Sequence, residues 1–214
     1  MKIEALHEFH DMAFSQGWAE RFTPTPDRLA LFETILQRIR EIGENNCHVL
    51  ELGIGPGYLA DYLLSRLPNI SYEGLDFSNA MLEIAKKRLV KYEGRVVYTQ
   101  ADLTKESWTD KVSQSPKAVV STWALHDLFS SKNIEFVYRK TKSILQAKGV
   151  LLNGDFIKPE ESTFEYEGGR IKPSVHLSLL KNVGFQSAIC LKEFEKDVLN
   201  PTTANNYACF EARN

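Results

Sequence analysis

The feature that most restricts this chain is the stretch Val49-Leu50-Glu51-Leu52-Gly53-Ile54-Gly55-Pro56-Gly57, with three alternate glycines between a short apolar run and a helical pattern. Glycine takes positive φ and carries no Cβ, so such a turn brings a ligand against bare backbone amides. The N-terminus of the next helix adds partial positive charge suited to a carboxylate or phosphate. Spacing separates the functional readings. A dinucleotide fingerprint needs glycines at Gly53, Gly55 and residue 58, but residue 58 is Tyr58. A P-loop would end in Gly-Lys-Ser/Thr, which is absent. A turn that only connects structure is the bland alternative.

From this point short apolar runs alternate with helical patterns. Strands are expected at about His48 to Leu52, Ile70 to Asp76, Arg95 to Ala101, Ala118 to Ser121 and Val150 to Asp155. One intervening helix carries Leu59, Leu63, Leu64 and Leu67 on one side and stops at Pro68. The next starts from Ser78 and carries Met81, Leu82, Ala85 and Leu89, and a later one runs from Lys132 to Gln146. Upstream, Leu29, Phe32, Leu36, Ile39 and Ile42 have the spacing of an amphipathic helix, capped by Thr25 and Pro26 and ended by Gly43. After a charged loop, Lys158 to Lys172, a short helix near Ser174 to Asn182 precedes two strands, Phe185 to Phe194 and Ala204 to Ala212. Their linker, with Asn200 and Pro201, is too short for a crossover helix, so they should pair antiparallel. The expected fold is α/β: a doubly wound, seven-stranded, mostly parallel sheet with a C-terminal antiparallel strand pair and an N-terminal helical cap.

At 214 residues one domain is expected. With 43% hydrophobic and 25% charged residues the composition is that of a soluble globular protein, and no uncharged run is long enough for a bilayer. Acidic residues interrupt the opening Met1-Lys2-Ile3-Glu4-Ala5-Leu6-His7-Glu8 where a secretory signal needs an apolar stretch, so a cytoplasmic home is expected. Cys47, Cys190 and Cys209 are scattered without a CxxC pair, as reduced buried thiols would be. Net charge is −2 and there is no basic block, which disfavours a nucleic-acid partner. Lys86-Lys87-Arg88, the densest basic run, reads as a solvated helix face.

Glu51, Gly53, Gly55 and Gly57 form the acidic-x-Gly-x-Gly-x-Gly pattern of the class I S-adenosylmethionine (SAM)-dependent methyltransferases, which this chain resembles. The resemblance extends through Tyr72-Glu73-Gly74-Leu75-Asp76-Phe77-Ser78-Asn79-Ala80-Met81-Leu82 and Gln100-Ala101-Asp102-Leu103, covers roughly residues 48 to 155, and includes the closing strand pair. It implies SAM as cofactor, S-adenosylhomocysteine (SAH) as product, and a single domain: cap 1–43, cofactor-binding core 44–156, and a lid loop, helix and hairpin over 157–214. Asp76, at a strand end, would accept from the ribose hydroxyls, while Ser78 caps the next helix. Asp102 would accept the adenine exocyclic N–H and Leu103 supply a backbone amide; a turn aspartate is the alternative. Phe77 and Met81 would flank the adenine, although Met81 also suits the helix core. Glu51 would orient the ammonium group at the methionine end. Trp18 and Phe22, in a segment that commonly folds over the cofactor in this family, are candidate faces for the sulfonium, as is Trp123. Packing alone is the other reading. Arg21 or Arg28 would meet the cofactor carboxylate.

Methyl transfer from a sulfonium requires alignment and water exclusion more than an elaborate triad. A hydroxyl or ammonium acceptor also needs a base, for which His126 beside Asp127, in Ser121-Thr122-Trp123-Ala124-Leu125-His126-Asp127 after the fourth strand, is the first candidate. Adjacent loop residues seldom face each other, and packing is the alternative role for His126. Asp155 reads as a structural turn residue. Without a third oxygen ligand no magnesium is expected. The nucleic-acid amino-methyltransferase motif and the Pro-Cys nucleophile of cytosine C5 enzymes are both missing, leaving a small molecule as acceptor. The family's Leu-x-Pro-Gly-Gly turn is degraded to Leu145-Gln146-Ala147-Lys148-Gly149. The loop Glu160 to Arg170 reads equally as a lid or a plain surface loop. A monomer or homodimer is expected, with no membrane partner. The rival readings are a non-catalytic SAM-binding regulatory module and a nicotinamide oxidoreductase, the latter opposed by Tyr58 and the terminal strand pair.

Overall fold

The computed structural model describes residues 7–42 and 46–214. The opening residues 1–6, the helix stop expected at Gly43 and the boundary between cap and core lie outside them.

The expected strands form one seven-stranded sheet in the order β3-β2-β1-β4-β5-β7-β6, from β1 (His48–Leu52), β2 (Ser71–Asp76), β3 (Val96–Gln100), β4 (Ala118–Thr122), β5 (Val150–Phe156), β6 (Ser187–Phe194) and β7 (Tyr207–Arg213). The pairs among β1 to β5 are parallel, whereas β7 runs antiparallel between β5 and β6. The two last strands begin later than their apolar runs suggest. Phe185 is spent on the core below the sheet, and the Asn200–Asn206 linker closes through its own side chains, with Asn205 Oδ1 accepting from Thr202 N at 2.8 Å.

Six α-helices flank the sheet: α1 (Met12–Arg21), α2 (Pro26–Glu41), α3 (Tyr58–Arg66), α4 (Asn79–Arg88), α5 (Ser131–Ile144) and α6 (Pro173–Asn182). Side chains of α2, α3 and α4 fill one face with Val49, Val120 and Leu152, while α5 and α6 cover the other with Leu50, Val119 and Leu151. Burial on both faces explains why these strands read as continuous apolar runs. Thr25 caps α2 as expected, its Oγ1 accepting from Arg28 N at 3.3 Å. The buried stripe of α2 differs from the expected one: Leu31, Phe32, Ile35, Leu36 and Ile39 are buried, and Leu29 is 39% exposed. Two apolar stripes overlap on this helix, and periodicity alone does not choose between them.

The chain winds outward from β1 to β3 and then returns to place β4 beside β1. The carboxyl ends of β1 and β4 therefore diverge into loops on opposite sides, leaving a crevice at the edge where ligands of such sheets bind.

Candidate functional site

A cleft of about 960 Å³, counting its open mouth, occupies that crevice. Its floor is the glycine turn, whose residues do different jobs. Gly53 has φ of 72°, and a Cβ there would lie 2.5 Å from Ala124 Cβ in the loop after β4. At Gly55, with φ of 51°, a Cβ would meet nothing within 4 Å, so the backbone there faces open cleft. Gly57 does not line the cleft: it caps α3 in the left-handed region and packs on Ala85 and Leu89 of α4.

Two buried carboxylates flank the turn. Asp76 ends β2; its Oδ2 accepts from Gly55 N and its Oδ1 from Ser78 N, both at 2.9 Å, so it ties the turn to the start of α4. Each oxygen keeps a lone pair for a ligand. Burial pushes its pKa up to about 6 against the pull of these N–H groups. Ser78 is the α4 cap, accepting from Met81 N at 3.1 Å. Glu51 is 1% exposed and accepts from the Tyr72 hydroxyl at 2.7 Å. Burial pushes it up to about 8, with the neighbouring Asp76 adding to the rise and the Tyr72 bond opposing it.

The N-terminal segment closes the cleft from above. Phe9, Trp18, Phe22, Phe77 and Trp123 line it, with Trp18 stacked on Phe22 at 4.5 Å and Phe22 edge-on to Trp123 at 5.7 Å. The Phe9 carbonyl accepts from the Ser15 hydroxyl at 2.9 Å and from the Ser78 hydroxyl, joining this segment to α4. Tyr58, the residue that excludes the dinucleotide fingerprint, donates to the Ala19 carbonyl of α1 at 2.7 Å. Arg88 is not part of a solvated face. Its guanidinium stacks over Tyr58 at 3.8 Å and donates to the Pro56 carbonyl at 2.7 Å, while Lys86 and Lys87 stay exposed. Met81 and Leu103 also line the cleft. Asp102 stands just outside its lining; its Oδ1 accepts from Thr104 N at 2.8 Å and Thr104 Oγ1 at 2.7 Å, a turn closed by its own side chain. Arg28 lies behind the aromatic wall, 4.0 Å over Phe22, and Arg21 is exposed.

At the other end, the 3-10 turn Leu125–Leu128 carries His126 and Asp127. Asp155, fully buried at the end of β5, grips His126 twice: Oδ2 accepts from the backbone N–H at 2.9 Å, and Oδ1 lies 2.8 Å from Nδ1. It is a partner of the imidazole, not an isolated turn residue. Burial, the largest single influence, disfavours the imidazolium, but the Asp155 and Asp127 carboxylates together outweigh it and raise the His126 pKa. The tight turn brings the adjacent pair face to face, with His126 Nε2 3.3 Å from Asp127 Oδ1. Asp127 lines the cleft; His126 stands behind it. Among the described residues no cluster of His, Cys, Asp and Glu could hold a metal ion.

A family model described as a methyltransferase domain matches residues 49–149, the span that holds the glycine turn, both buried carboxylates and the His126 turn. Residues 49–149, just under half of the chain, are thus similar to a methyltransferase domain, within a fold of the class I type. Over 78 residues this domain is 33% identical to the trans-aconitate 2-methyltransferase of Paracidovorax citrulli, a match covering 36% of this chain and 28% of that protein. Its fold is that of human N-acetylserotonin methyltransferase in complex with SAM, with a TM-score of 0.69 at 15% identity, covering 99% of this chain and 60% of that one. The N-methyltransferase NodS from Bradyrhizobium japonicum superposes with a TM-score of 0.64 at 14% identity, over 89% of this chain and 97% of that one. The chain thus spans less than two thirds of the first two relatives, 28% of one and 60% of the other.

The sequence pattern contained no signal for Phe9, Tyr58, Arg88 or the His126–Asp155 pairing as parts of this site. Only the position of Asp155 at a strand's carboxyl end hinted at the last.

Proposed function

We propose that this chain transfers the methyl group of SAM to a small-molecule acceptor, leaving SAH. The observation that carries the reading is the pair of buried carboxylates, Glu51 and Asp76, without a cationic partner among the described residues, on either side of a bare glycine turn. A carboxylate out of water is costly until a cation meets it. A ligand bearing an ammonium and a sulfonium fits that deficit, and the open face of Gly55 leaves room for it. Asp76 would hold the ribose, Glu51 the ammonium, Gly53 and Gly55 the amino-acid tail, and Phe77, Met81, Leu103 and Asp102 the adenine. Trp18 and Phe22 would exclude water above the reacting centre, while Gly57 sets the helix behind it. When bound, the cofactor supplies an electrophilic methyl group.

On the acceptor side, Asp127 faces the cleft and would orient the acceptor, with His126 behind it as the sink for its proton and Asp155 holding the ring. The unit reads as one domain: cap 1–43, core 44–156 and closing segment 157–214. Three cysteines outside any disulfide, two of them buried, support a reducing, cytoplasmic setting, and no helix among the described residues is long and apolar enough to cross a membrane. The acidic balance supports a protein, monomer or homodimer alike, that acts without nucleic acid. The test is to incubate the protein and methyl-labelled SAM with fractionated metabolite pools and look for label in a small product. Label transfer that is lost in Asp76→Ala supports the reading; tight SAM binding with no labelled product favours a regulatory SAM-binding module instead.

A further inference from the structure

The segment between β5 and α6 crosses directly against the turn that carries His126, and two glycines make the contact. A Cβ at Gly169 would stand 1.6 Å from the His126 carbonyl oxygen and 2.8 Å from its Cα; one at Gly168 would stand 2.5 Å from the Phe129 carbonyl oxygen. Neither glycine has positive φ. Closeness to the turn, not backbone torsion, is what demands glycine at both positions.

The segment is itself anchored. Lys158 N donates to the Ile171 carbonyl at 3.2 Å, and Glu160 holds its far end through Ser174 N at 2.6 Å and Lys172 Nζ at 2.8 Å. Arg170, only 5% exposed, donates to the Thr203 carbonyl at 2.6 Å and pairs with Glu167 at 2.5 Å. Its guanidinium lies 4.4 Å over the Phe156 ring, which stands edge-on to the His126 imidazole at 5.1 Å. The turn is therefore gripped from two sides, by Asp155 on the imidazole and by the glycine pair on the backbone.

We propose that Gly168-Gly169-Arg170 is a positioning element that sets where the His126–Asp127 pair stands against the cleft, and that this segment is a fixed strap, not a lid. The proposal rests on the reading of that pair as acceptor-facing. A carbon needs on the order of 3.3 Å from a carbonyl oxygen. An added methyl at Gly169 must therefore displace turn or strap by well over 1 Å, a misplacement of the size that costs about 100-fold in rate.

The test compares Gly169→Ala and Arg170→Lys with the parent protein, and with His126→Ala as reference. Imidazole ¹⁵N shifts of His126 are followed through a pH titration, SAH affinity is measured by calorimetry, and kcat is taken on the acceptor found by label transfer. The expected result in Gly169→Ala is a His126 midpoint lowered as Asp155 and Asp127 lose their hold, kcat down about 100-fold, and SAH affinity unchanged within twofold. Arg170→Lys, which keeps the charge but loses the forked grip, should move the midpoint the same way by less, and it decides the matter alone if Gly169→Ala does not fold. Parent-like His126 shifts in the folded variants overturn the proposal, as does a parallel loss of SAH affinity. Shifted His126 signals together with full activity of His126→Ala would leave the strap standing and remove the acceptor-facing reading instead.

Discussion

The two ends of the cleft treat their carboxylates in opposite ways. At the glycine turn, Glu51 and Asp76 are buried without a cationic partner among the described residues, and both have pKa values pushed up, to about 8 and about 6. At the His126 turn, Asp155 is equally buried but already paired with an imidazole 2.8 Å away. One end holds two carboxyl groups whose ionisation a cationic ligand would favour; the other has its charges matched in advance and would hold or pass a proton without reorganising. In the proposed function, selectivity for a charged cofactor and readiness for proton transfer thus fall on different strands of one sheet.

The largest effects should come from breaking the pre-paired end. His126→Ala is expected to lower kcat on an oxygen or nitrogen acceptor by about 10²–10⁴-fold with SAM affinity unchanged. In the proposed role the neutral imidazole would be the base, and Asp155 raises the pKa of His126. In the parent, kcat should therefore rise with pH through a midpoint above the ordinary histidine value. Asp155→Asn removes that carboxylate and should move the midpoint down. A pH–rate profile of the two proteins checks the sign; identical profiles would detach His126 from the chemistry.

Breaking the unpaired end should spare chemistry and cost binding. Asp76→Ala is expected to weaken SAM binding by about 1–3 kcal/mol, the scale of lost charge-assisted hydrogen bonds. Part of that loss is indirect, because Asp76 also accepts from Gly55 N and shapes the turn. Calorimetry with SAM and SAH reads it, and an unaltered affinity would remove Asp76 from the cofactor site.

These ends also differ in how far they can be read from sequence. Glu51 to Met81 is one strand-turn-helix-strand-helix unit, so its glycines, its strand-end aspartate and its serine cap appear as a contiguous pattern. The His126 end is assembled from the loop after β4, the end of β5 and the strap before α6, and nothing local announces that Gly169 touches His126 or that Asp155 holds its ring. The sheet was legible because strands buried on both faces leave unbroken apolar runs. Its final order, with β7 inserted between β5 and β6, depends on pairing across the sheet, to which periodicity is blind. The same blindness misassigned Leu29, and it left Arg88 as a surface charge although it buttresses Pro56.

The unpaired carboxyl groups themselves can be titrated. Burial holds Glu51 up at about 8, and a ligand ammonium would favour its carboxylate form. SAM association should therefore strengthen as pH rises toward about 8, by at most about tenfold per unit for each proton released, and stop rising there. Glu51→Gln should remove the rise between about 6 and about 8 and leave only a rise below about 6, which belongs to Asp76. Calorimetry in buffers of different ionisation enthalpy counts the protons directly. A release that is the same in both proteins would mean that Glu51 does not meet the cation.

The smallest effect is expected where the cofactor end meets the surface. Asp102 already spends Oδ1 on Thr104, a demand that an asparagine carbonyl meets equally well, so Asp102→Asn should keep the turn and the stability of the domain. What changes is the second oxygen, where an acceptor becomes an amide donor. If that oxygen receives the adenine amino group, the variant loses one hydrogen bond and SAM affinity falls by about 1 kcal/mol, some fivefold. If Asp102 only closes its own turn, affinity stays within error of the parent. Because the amine is what distinguishes adenine from hypoxanthine, the cleaner measurement is the ratio of affinities for SAH and S-inosylhomocysteine: a ratio that collapses in Asp102→Asn puts the adenine contact at this residue, and a ratio that does not change puts it elsewhere along the cleft.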